Sequence, residues 1–384
     1  MSAVRRVIIS ALALGPTRNG ETIRTLKILG IETSCDETAA AVVEETGDAD
    51  KPWTIRSNVI ASQVSIHREW GGVVPELASR QHIRDICGVV ERALDEGQTS
   101  WRGLGAVAVT QGPGLVGSLL VGVAFAKAAA AAAGLPLVAV HHLAGHIESL
   151  VLQNGEMPLP AVVLVVSGGH TSLYLVERRG EYRVLSRTRD DAAGEAYDKV
   201  AKLLGLGYPG GPAIDRLAAS GNDRAIRLPT TRLTHADRNA PELKGDLDFS
   251  FSGLKTAVLR HVRSRDTTAG VAKDSKAALT DQEIADICAT FQRVVVTSLI
   301  ERVFDAARRY QAKSIGVSGG VSANSRLRAA LQERGLRREI PTFLPSLQLS
   351  TDNAAMIAAA GLRKFRAGEV APLDLNADAA LPLA

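Results

Sequence analysis

Two stretches with the same pattern decide the fold: LKILGIETSCDETAAAVVEE at residues 26–45 and AVVLVVSGGHTSLYLVE at residues 161–177. In each stretch, two apolar runs compatible with β-strands flank a short turn of polar residues or glycines, so each predicts a β-hairpin. The two hairpins stand at the heads of two halves of the chain. We therefore predict an α/β protein built from two duplicated lobes.

Strands and helices alternate after each hairpin. In the first half, apolar positions at helical spacing predict a helix: Ile83, Ile86, Val89, Val90 and Leu94. Two buried strands, each followed by a helix, come next at residues 105–114 and 135–142. The second half closes with a predicted helix over 284–310, a strand over 313–321, and helices over 322–335 and from 351 onward.

Pro158 and Pro160 mark the boundary between the halves. A length of 384 residues fits two lobes, because domains average roughly 150 residues. The predicted organisation is an extension over 1–25, a first lobe over 26–157, a second lobe over 158–370 with an exposed insertion near 264–280, and a tail over 371–384.

Composition excludes several classes of protein. Hydrophobic residues make up 46% of the chain and charged residues 22%, which excludes a mainly disordered protein. Only 4% of residues are aromatic, which argues against a surface that stacks the bases of single-stranded nucleic acid. Residues 1–27 supply the whole net charge of +4, so the rest of the chain is neutral overall. Three cysteines without CxxC spacing indicate a reducing compartment.

Two apolar segments raise the question of a membrane. Residues 7–15 follow two arginines, but about nine residues are too few to span a bilayer. We interpret residues 1–25 as a disordered extension, with an organelle presequence as the alternative. Residues 114–140 are interrupted by Gly134 and Pro136, so we predict a core helix followed by a strand and no membrane span. The predicted location is the cytoplasm, or an organelle if the extension is a presequence.

A histidine pair is a candidate metal site. His142 and His146 stand four residues apart on a predicted helix, so their imidazoles share one face. Surface or core histidines would show the same spacing. Asp352, at the start of the last helix, is a possible third ligand, although an N-cap is its more ordinary role. His141 lies off the face of the pair. Leu143 stands where a zinc protease has its glutamate, so peptidase activity is not expected.

Glycine turns at residues 167–169 and 316–320 suggest a phosphate site, because their backbone NH groups can approach an anion. Most glycine turns are only turns. Asp198 and Asp215 would offer carboxylates to ribose hydroxyls, with a helix cap or a surface charge as the alternative.

The turn of the first hairpin carries an acidic pair. Asp36 and Glu37 could accept a proton from a reacting amine, and a solvated turn is the alternative. We interpret Cys35 as a packed thiol and not a nucleophile, because no histidine lies nearby in sequence.

Nine motifs together resemble one family. In order over residues 28–367 they are IETSCDET, GGVVPELASR, GPGLVGSLLVG, HHLAGH, LVVSGGHTSLY, DDAAGEAYDKVAKLLGLGYPGGP, DFSFSGLKT, GVSGGVSAN and TDNAAMIA. The series is similar to the TsaD family of tRNA threonylcarbamoyladenosine transferases, once called sialoglycoproteases. The chain departs from the family pattern before Leu26 and at its C-terminus, where EVAPLDLNADAALPLA replaces an Arg-Pro-rich ending.

The resemblance implies the actin, sugar-kinase and Hsp70-like (ribonuclease H-like) fold, two α/β lobes with a nucleotide in the cleft between them. It implies that His142, His146 and Asp352 bind one divalent metal per subunit, Fe²⁺ by preference and Zn²⁺ as the alternative. We assign the catalytic proton acceptor to Asp36 or Glu37. The substrate-binding residues implied by the resemblance are Val165, Val166, Ser167, Gly168, Gly169, Asp198, Gly211, Asp215 and Asn324.

The implied reaction moves a threonylcarbamoyl group from threonylcarbamoyl-AMP to N6 of the adenosine at position 37 of tRNAs that read codons starting with A. Implied partners are tRNA, a metal-free TsaB-like paralogue, a small TsaE-like ATPase in bacteria, and a second copy of the chain. Three basic clusters could contact tRNA phosphates: Arg326 with Arg328, Arg334 with Arg337 and Arg338, and Arg363 with Lys364 and Arg366.

Two other classes of protein remain open. A kinase or ATPase of the same fold would need a Mg²⁺ site made of carboxylates and waters, and metal analysis would distinguish it. A non-catalytic nucleotide-binding scaffold would tolerate the loss of His142 without losing the modified base.

Overall fold

A computed structural model describes residues 25–233, 243, 245–268 and 279–383. Residues 1–24 of the predicted extension and residues 269–278 of the predicted insertion lie outside the described residues.

The ten strands and eleven helices of the described chain are named in chain order. The strands are β1 (Lys27–Glu32), β2 (Glu37–Glu45), β3 (Trp53–Ser62), β4 (Ala106–Gly112), β5 (Leu137–His141), β6 (Ala161–Val166), β7 (Thr171–Arg178), β8 (Glu181–Arg187), β9 (Ser314–Ser318) and β10 (Thr342–Phe343). The helices are α1 (Val64–Arg68), α2 (Pro75–Glu96), α3 (Val116–Ala133), α4 (His142–Asn154), α5 (Ala193–Leu203), α6 (Gly210–Ala218), α7 (Ser252–Thr268), α8 (Asp281–Arg309), α9 (Ser325–Arg338), α10 (Leu347–Ser350) and α11 (Ala354–Arg366).

Two five-stranded sheets share one strand order. The first runs β3-β2-β1-β4-β5, and the second, taken from its β8 edge, runs β8-β7-β6-β9-β10. Each sheet begins with an antiparallel hairpin. One later strand pairs in parallel with the first strand of the hairpin, and a second later strand pairs in parallel with that one. The shared order confirms the duplicated α/β architecture. The pattern of the sequence does not predict β3, β8 or β10, which all lie at sheet edges, where partly exposed strands carry a weaker apolar signal.

The chain forms two compact units, each with one sheet. The first unit holds residues up to 62, residues 75–148 and residues 353–382, and the second holds residues 63–74 and 149–352. This division differs from the boundary predicted at residues 157 and 158.

The difference arises because helix α11, last in the chain, packs on the first sheet. Gly30 in β1 permits this contact, since a Cβ at that position would lie 2.4 Å from the carbonyl oxygen of Ala354 and 2.6 Å from the backbone nitrogen of Ala358. Most of the helix is buried there. A sheet face covered by a helix 320 residues later leaves no local signal in the sequence.

Helices α2 and α3 pack together on the first unit. Ile86, Val89, Val90 and Leu94 are buried as predicted, but Ile83 is 64% exposed. Helix α3 is the predicted core helix and contacts β4 and α2. By length and composition alone it is also long and apolar enough to cross a membrane, although a single helix of this kind is weak evidence.

The second unit has its core around α8. This helix begins with a capping box, in which Thr280 and Glu283 each bind the other's backbone NH. Phe291 on α8 packs edge-on against Tyr197 on α5, with ring centroids 5.0 Å apart. Such a pair adds to the stability that burial of two large rings provides.

The C-terminal tail packs along the first unit. Ala371 donates its NH to the carbonyl oxygen of Leu137 at the start of β5 (2.7 Å), and Asp378 donates its NH to Gln111 in β4 (2.9 Å). The ammonium of Lys127 on α3 donates to the carbonyl oxygen of Leu375 (3.0 Å). The tail therefore holds β4, α3 and β5 together.

Candidate active site

The two candidate metal-binding histidines lie together at the start of helix α4. Strand β5 ends at His141, and α4 begins at His142, so the helix axis rises from the carboxyl end of the first sheet. The rings of His142 and His146 lie edge to face with centroids 4.8 Å apart. His146 is fully buried and His142 almost so. The structure thus confirms that both imidazoles share one face.

Asp352 reaches the same place through the chain's last helix. It is not the N-cap of α11: the side chain of its neighbour Asn353 accepts the NH of Met356 at 3.0 Å and performs that role. The peptide bond to Asn353 ties Asp352 to the first unit. One ligand atom from each of His142, His146 and Asp352 lies within 4.8 Å of the others.

Gly145 explains why the motif HLAGH brings these elements together. A Cβ at Gly145 would lie 2.8 Å from Cδ1 of Ile357 and 3.2 Å from Cγ of Met356, both on α11. The glycine between the two histidines therefore lets α11 approach α4 closely.

A buried glutamate orients one of the histidines, and the sequence motifs did not identify it. Glu32 ends β1 with no exposed surface, and its Oε2 accepts a hydrogen bond from Nδ1 of His142 at 2.9 Å. The same carboxylate accepts the hydroxyl of Thr110 at 2.7 Å and the backbone NH of Ser34. Because Nδ1 of His142 is engaged in this way, Nε2 is the nitrogen left to face a metal. The signal in the sequence was an acid at the end of the apolar run ILGIE.

This set of donors fits a divalent transition metal. Two imidazoles and one carboxylate, with a carboxylate behind one imidazole, match the ligand types and the supporting hydrogen bond of such sites. Ferrous iron and zinc both accept these ligands, so the donor set does not distinguish the two metals.

His141 belongs to a different contact. Its Nε2 donates to the carbonyl oxygen of Leu381 in the tail at 2.9 Å, while its Nδ1 accepts the NH of Leu143 at 3.1 Å. Burial lowers the pKa of His141 to about 4, so the ring is neutral near pH 7. The residue points away from the pair, as predicted, and it binds the C-terminal tail.

The acidic turn after β1 is held by a histidine from helix α2. His82 donates from Nε2 to the carbonyl oxygen of Cys35 (3.0 Å), and its Nδ1 accepts the hydroxyl of Thr38 (2.8 Å). These two bonds enclose Asp36 and Glu37, which are both partly buried. Burial lowers the pKa of His82 below its usual value, which keeps the ring neutral and suited to one donor and one acceptor bond.

Cys35 therefore has a histidine near it in space, although none lies near it in sequence. The contact runs to the backbone of Cys35, which supports a positioning role for His82 and gives no sign of an activated thiol.

Both glycine turns of the candidate phosphate site lie in the second unit, at neighbouring strand ends. Strands β6 and β9 pair with Val165 opposite Ser318. Gly319 has φ +90°, and a Cβ there would lie 2.5 Å from the carbonyl oxygen of Val166. Gly319 is therefore required by the backbone itself. By contrast, a Cβ at Gly168 would meet nothing within 4 Å, and Gly168 and Gly169 are exposed, although the backbone of Gly168 lies close to Gly194 on its other side.

The three remaining polar candidates already make contacts within the second unit. Asp198 accepts the NH of Gly210, the first residue of α6, at 2.7 Å. Asn324 is the N-cap of α9, and its Nδ2 donates to Asp215 at 3.1 Å. Asp215 also accepts the hydroxyl of Ser325 at 2.7 Å. Asn324 is thus a helix cap, whereas Asp198 lies on α5 and binds the first NH of α6, whose N-cap is Pro209. Gly211 lies in the first turn of α6, next to open space.

Asp190 joins two of the sequence motifs. It accepts the NH of Phe251 at 2.8 Å and the hydroxyl of Ser252 at 2.8 Å, which ties DDAAGEAYDK to DFSFSGLKT. Burial alone would raise the pKa of Asp190, but these bonds and the one from Ser250 outweigh it and lower the pKa below its usual value.

Most residues of the three predicted basic clusters form ion pairs, hydrogen bonds or ring contacts with other residues of the chain. Arg326 pairs with Asp223 at 2.5 Å, and Arg328 donates to two backbone carbonyl oxygens. Arg363 forms a two-bond pair with Glu148 at 2.7 and 2.8 Å. The remaining pairs and ring contacts are Arg366 with Glu45, Lys364 with Glu369, Arg337 with Glu333, and Arg334 over Phe304. These contacts favour the structural interpretation of the clusters over contact with tRNA.

Comparison with known proteins now decides the family. The family model described as TsaD, tRNA N6-adenosine threonylcarbamoyltransferase, matches residues 54–359. The chain belongs to the TsaD family. Two relatives with the name tRNA N6-adenosine threonylcarbamoyltransferase come from Anaeromyxobacter sp. (strain Fw109-5) and Koribacter versatilis. The first is 52% identical over 356 residues, 92% of this chain and 99% of its own length. The second is 47% identical over 381 residues, 93% of this chain and 98% of its own.

A solved structure supports the fold class. Full-length HypF in a phosphate- and nucleotide-bound form is similar with a TM-score of 0.55 at 13% identity, over 90% of this chain and 47% of that one. The TsaD chain therefore has the two-lobed α/β architecture of the actin, sugar-kinase and Hsp70-like fold. As a TsaD member it is a transferase of tRNA modification, and this excludes the kinase and the non-catalytic scaffold as its family function.

Proposed function

We propose that the protein transfers the threonylcarbamoyl group from threonylcarbamoyl-AMP to N6 of the adenosine at position 37 of tRNAs that read codons starting with A. The grouping of His142, His146 and Asp352, with Glu32 behind His142, is the observation that carries this proposal in a TsaD chain. Relatives about half identical to this chain carry the name of the same transfer activity.

The chemical step is an acyl transfer. N6 of the adenine attacks the carbamoyl carbon of the mixed anhydride, a C–N bond forms, and the bond from that carbon to the phosphate oxygen breaks. AMP leaves with the electron pair. The proton lost from N6 passes to the carboxylate of Asp36 or Glu37, which the two hydrogen bonds of His82 hold in place.

Residues of the second unit bind the adenylate in this proposal. The exposed backbone of Gly168 and Gly169 offers NH groups to the phosphate, while the NH of Ser167 donates to the carbonyl oxygen of His170 at 2.8 Å and closes the turn. Asp198, Gly211 and Asp215 contact the ribose. Asp215 already contacts Asn324 and Ser325, so these side chains are held in place before the substrate binds. This reduces the entropy that binding would otherwise lose by ordering them. Val165 and Val166 end the strand that carries the turn.

His142, His146 and Asp352 would hold one divalent metal, with Fe²⁺ as the preferred ion and Zn²⁺ as the alternative. When bound, such an ion supplies Lewis-acid polarisation of a phosphate or carbonyl oxygen. The chain's own contribution is to keep the imidazole of His142 in one orientation through Glu32, and to exclude water, since both imidazoles are buried.

Partner proteins and location complete the proposal. The exposed apolar side chains Ile83, Val116 and Leu120, on the packed helices α2 and α3, support a protein partner there, and we assign this surface to a TsaB-like paralogue. A TsaE-like ATPase, a homodimer and a cytoplasmic location are proposed from family membership, and the organelle alternative rests on residues 1–25.

Reconstitution tests the transfer directly. Purified protein, an unmodified tRNA and threonylcarbamoyl-AMP, with the partner proteins, should yield threonylcarbamoyladenosine in a nucleoside digest analysed by mass spectrometry. Asp36→Asn or Glu37→Gln should lower the rate by about 10²- to 10⁴-fold, the usual contribution of a positioned base. Asp50→Asn, an exposed turn residue of the same unit, serves as the control. Full rates in both Asp36→Asn and Glu37→Gln would rule out these residues as the base.

The metal is tested by elemental analysis of anaerobically purified protein. His142→Ala and Asp352→Ala should each lose most of the bound metal while the protein stays folded, because a site with open positions need not hold the fold together. His261→Ala, on α7 in the second unit, is the matched control. Equal metal content and equal transfer in all four proteins would end the metal-assisted proposal.

A further inference from the structure

A cavity of about 300 Å³ lies in the second unit, outside the residues assigned above. It is lined by Arg68 of α1, by Pro212, Ala213 and Arg216 of α6, and by residues 206–209, which precede α6. Its volume is at the small end of the usual range for ligand sites, roughly 300–1,000 Å³, which suits a single sugar-phosphate unit.

The lining of the cavity is cationic. It contains two guanidinium groups and no acidic side chain. Both Arg68 and Arg216 are exposed, and within the part of the chain that the structure describes no carboxylate pairs with either. Arg326 and Arg363 differ, since each is held by a carboxylate of the protein. An arginine that keeps its donors available matches the geometry of a phosphate group.

Helix α6 places this cavity beside the candidate ribose site. Asp215 faces Asn324 and Ser325, whereas Pro212, Ala213 and Arg216 line the cavity on another face of the same two turns. One short helix of a single unit therefore carries both the candidate ribose carboxylate, Asp215, and a cationic residue of the cavity, Arg216.

We propose that the cavity between Arg68 and Arg216 binds a backbone phosphodiester of the RNA substrate, with Tyr208 packing against the adjoining sugar. The proposal rests on the proposed function for the identity of the RNA, since the relatives' name specifies tRNA as the molecule modified. It concerns binding of the acceptor and not the chemical step.

The experiment measures binding of an unmodified tRNA transcript to the full-length protein as a function of salt, without any adenylate. We expect the double variant Arg68→Ala, Arg216→Ala to bind at least about tenfold more weakly at low salt. The magnitude of the slope of log affinity against log salt should fall by about 1, because binding without this one phosphate contact releases about one fewer counterion. The variant Arg68→Lys, Arg216→Lys should retain most of the affinity.

The matched control is Arg92→Ala, Arg178→Ala, which removes the same charge from two exposed positions on α2 and β7. Its affinity and its slope should equal those of the unmodified protein. Equal slopes in the cavity variant and the unmodified protein, or equal losses in the cavity variant and the control, would overturn the proposal. So would a lack of measurable tRNA binding by the unmodified protein.

A second measurement identifies the phosphate that binds. Calorimetry with AMP should give the same affinity for the cavity variant and the unmodified protein. If the variant loses AMP and keeps tRNA, the cavity belongs to the adenylate site and the proposal fails. A different result would contradict the proposed function while leaving the cavity proposal intact. In that case tRNA would bind through these arginines, but no threonylcarbamoyladenosine would form in the complete reaction.

Discussion

Replacing Glu32 by glutamine removes one charge behind the candidate metal ligands and almost nothing else. The side chain has no exposed surface, and its Oε2 lies 2.9 Å from Nδ1 of His142 and 2.7 Å from the hydroxyl of Thr110. Glutamine has the same size, so the packing at the end of β1 is kept. The bond to His142 changes from a charge-assisted bond to a neutral one.

The size of the effect follows from that bond. A hydrogen bond to a charged group contributes about 1.5–3 kcal/mol, and each 1.4 kcal/mol is a factor of about ten in affinity. We therefore expect metal to bind about 10- to 100-fold more weakly in Glu32→Gln, in line with the range typical of residues that support a ligand. The cost to folding should be about 1–3 kcal/mol, because the new amide NH₂ must face one of three hydrogen-bond donors.

Glu148→Gln is the matched comparison. Glu148 is equally buried and lies on the same helix as His142, but its carboxylate pairs with Arg363. Breaking this pair should cost about 3–5 kcal/mol of stability and leave metal affinity unchanged. Competition with a chelator measures affinity, and denaturant unfolding of the metal-free proteins measures stability. If metal affinity falls equally in both variants, general loosening explains the loss and the orienting role of Glu32 is refuted.

Gly168→Val should weaken binding of an adenylate analogue in calorimetry with little change in melting temperature, whereas Gly319→Val should lower the melting temperature, since only the second position has a positive φ and a backbone contact; equal melting temperatures would contradict this. Deleting residues 373–384 should destabilise the first unit by about 1–3 kcal/mol through the lost tail bonds, as read by denaturant unfolding, and an unchanged midpoint would show that the tail contributes nothing. Asp190→Asn should be less stable at pH 7. Because the hydrogen bonds to Asp190 hold its folded pKa below the usual value for aspartate, the stability that the carboxylate provides should be lost, and the deficit of the variant should shrink, as the pH falls through the range in which this carboxyl group protonates. If the stability deficit of Asp190→Asn persists at low pH, the loss comes from the altered hydrogen-bonding groups of the side chain and not from its lost charge.

Local patterns in the sequence were sufficient for the features that depend on neighbours in the chain. The two hairpins, helix α2 and the shared face of His142 and His146 all follow from periodicity over a few residues. The N-cap of α11 shows the limit of that reasoning. Asp352 and Asn353 are both good capping residues, and only the hydrogen bond to Met356 shows which one serves.

Contacts between distant segments could not be predicted in this way. Glu32 and His142 are 110 positions apart, and no pattern in either segment refers to the other. The same holds for His82, which reaches Cys35 over 47 positions. The edge strands β3, β8 and β10 were missed because they are partly exposed, whereas the edge strand β5 is mostly buried and was predicted. A basic cluster in the sequence did not reveal which arginines the protein uses for its own ion pairs.

The position of α11 has a consequence for synthesis on the ribosome. Strands β1 to β3 emerge first, yet the helix that covers them is made roughly 300 residues later, a delay of about 15–60 s at 5–20 residues per second. Most of the second unit, residues 149–352, is complete before α11 leaves the ribosome. The sheet made first is therefore the last to be finished, and a chain released early would expose its apolar face to chaperones or aggregation. The three candidate metal ligands, His142, His146 and Asp352, come together only after nearly the whole message has been translated.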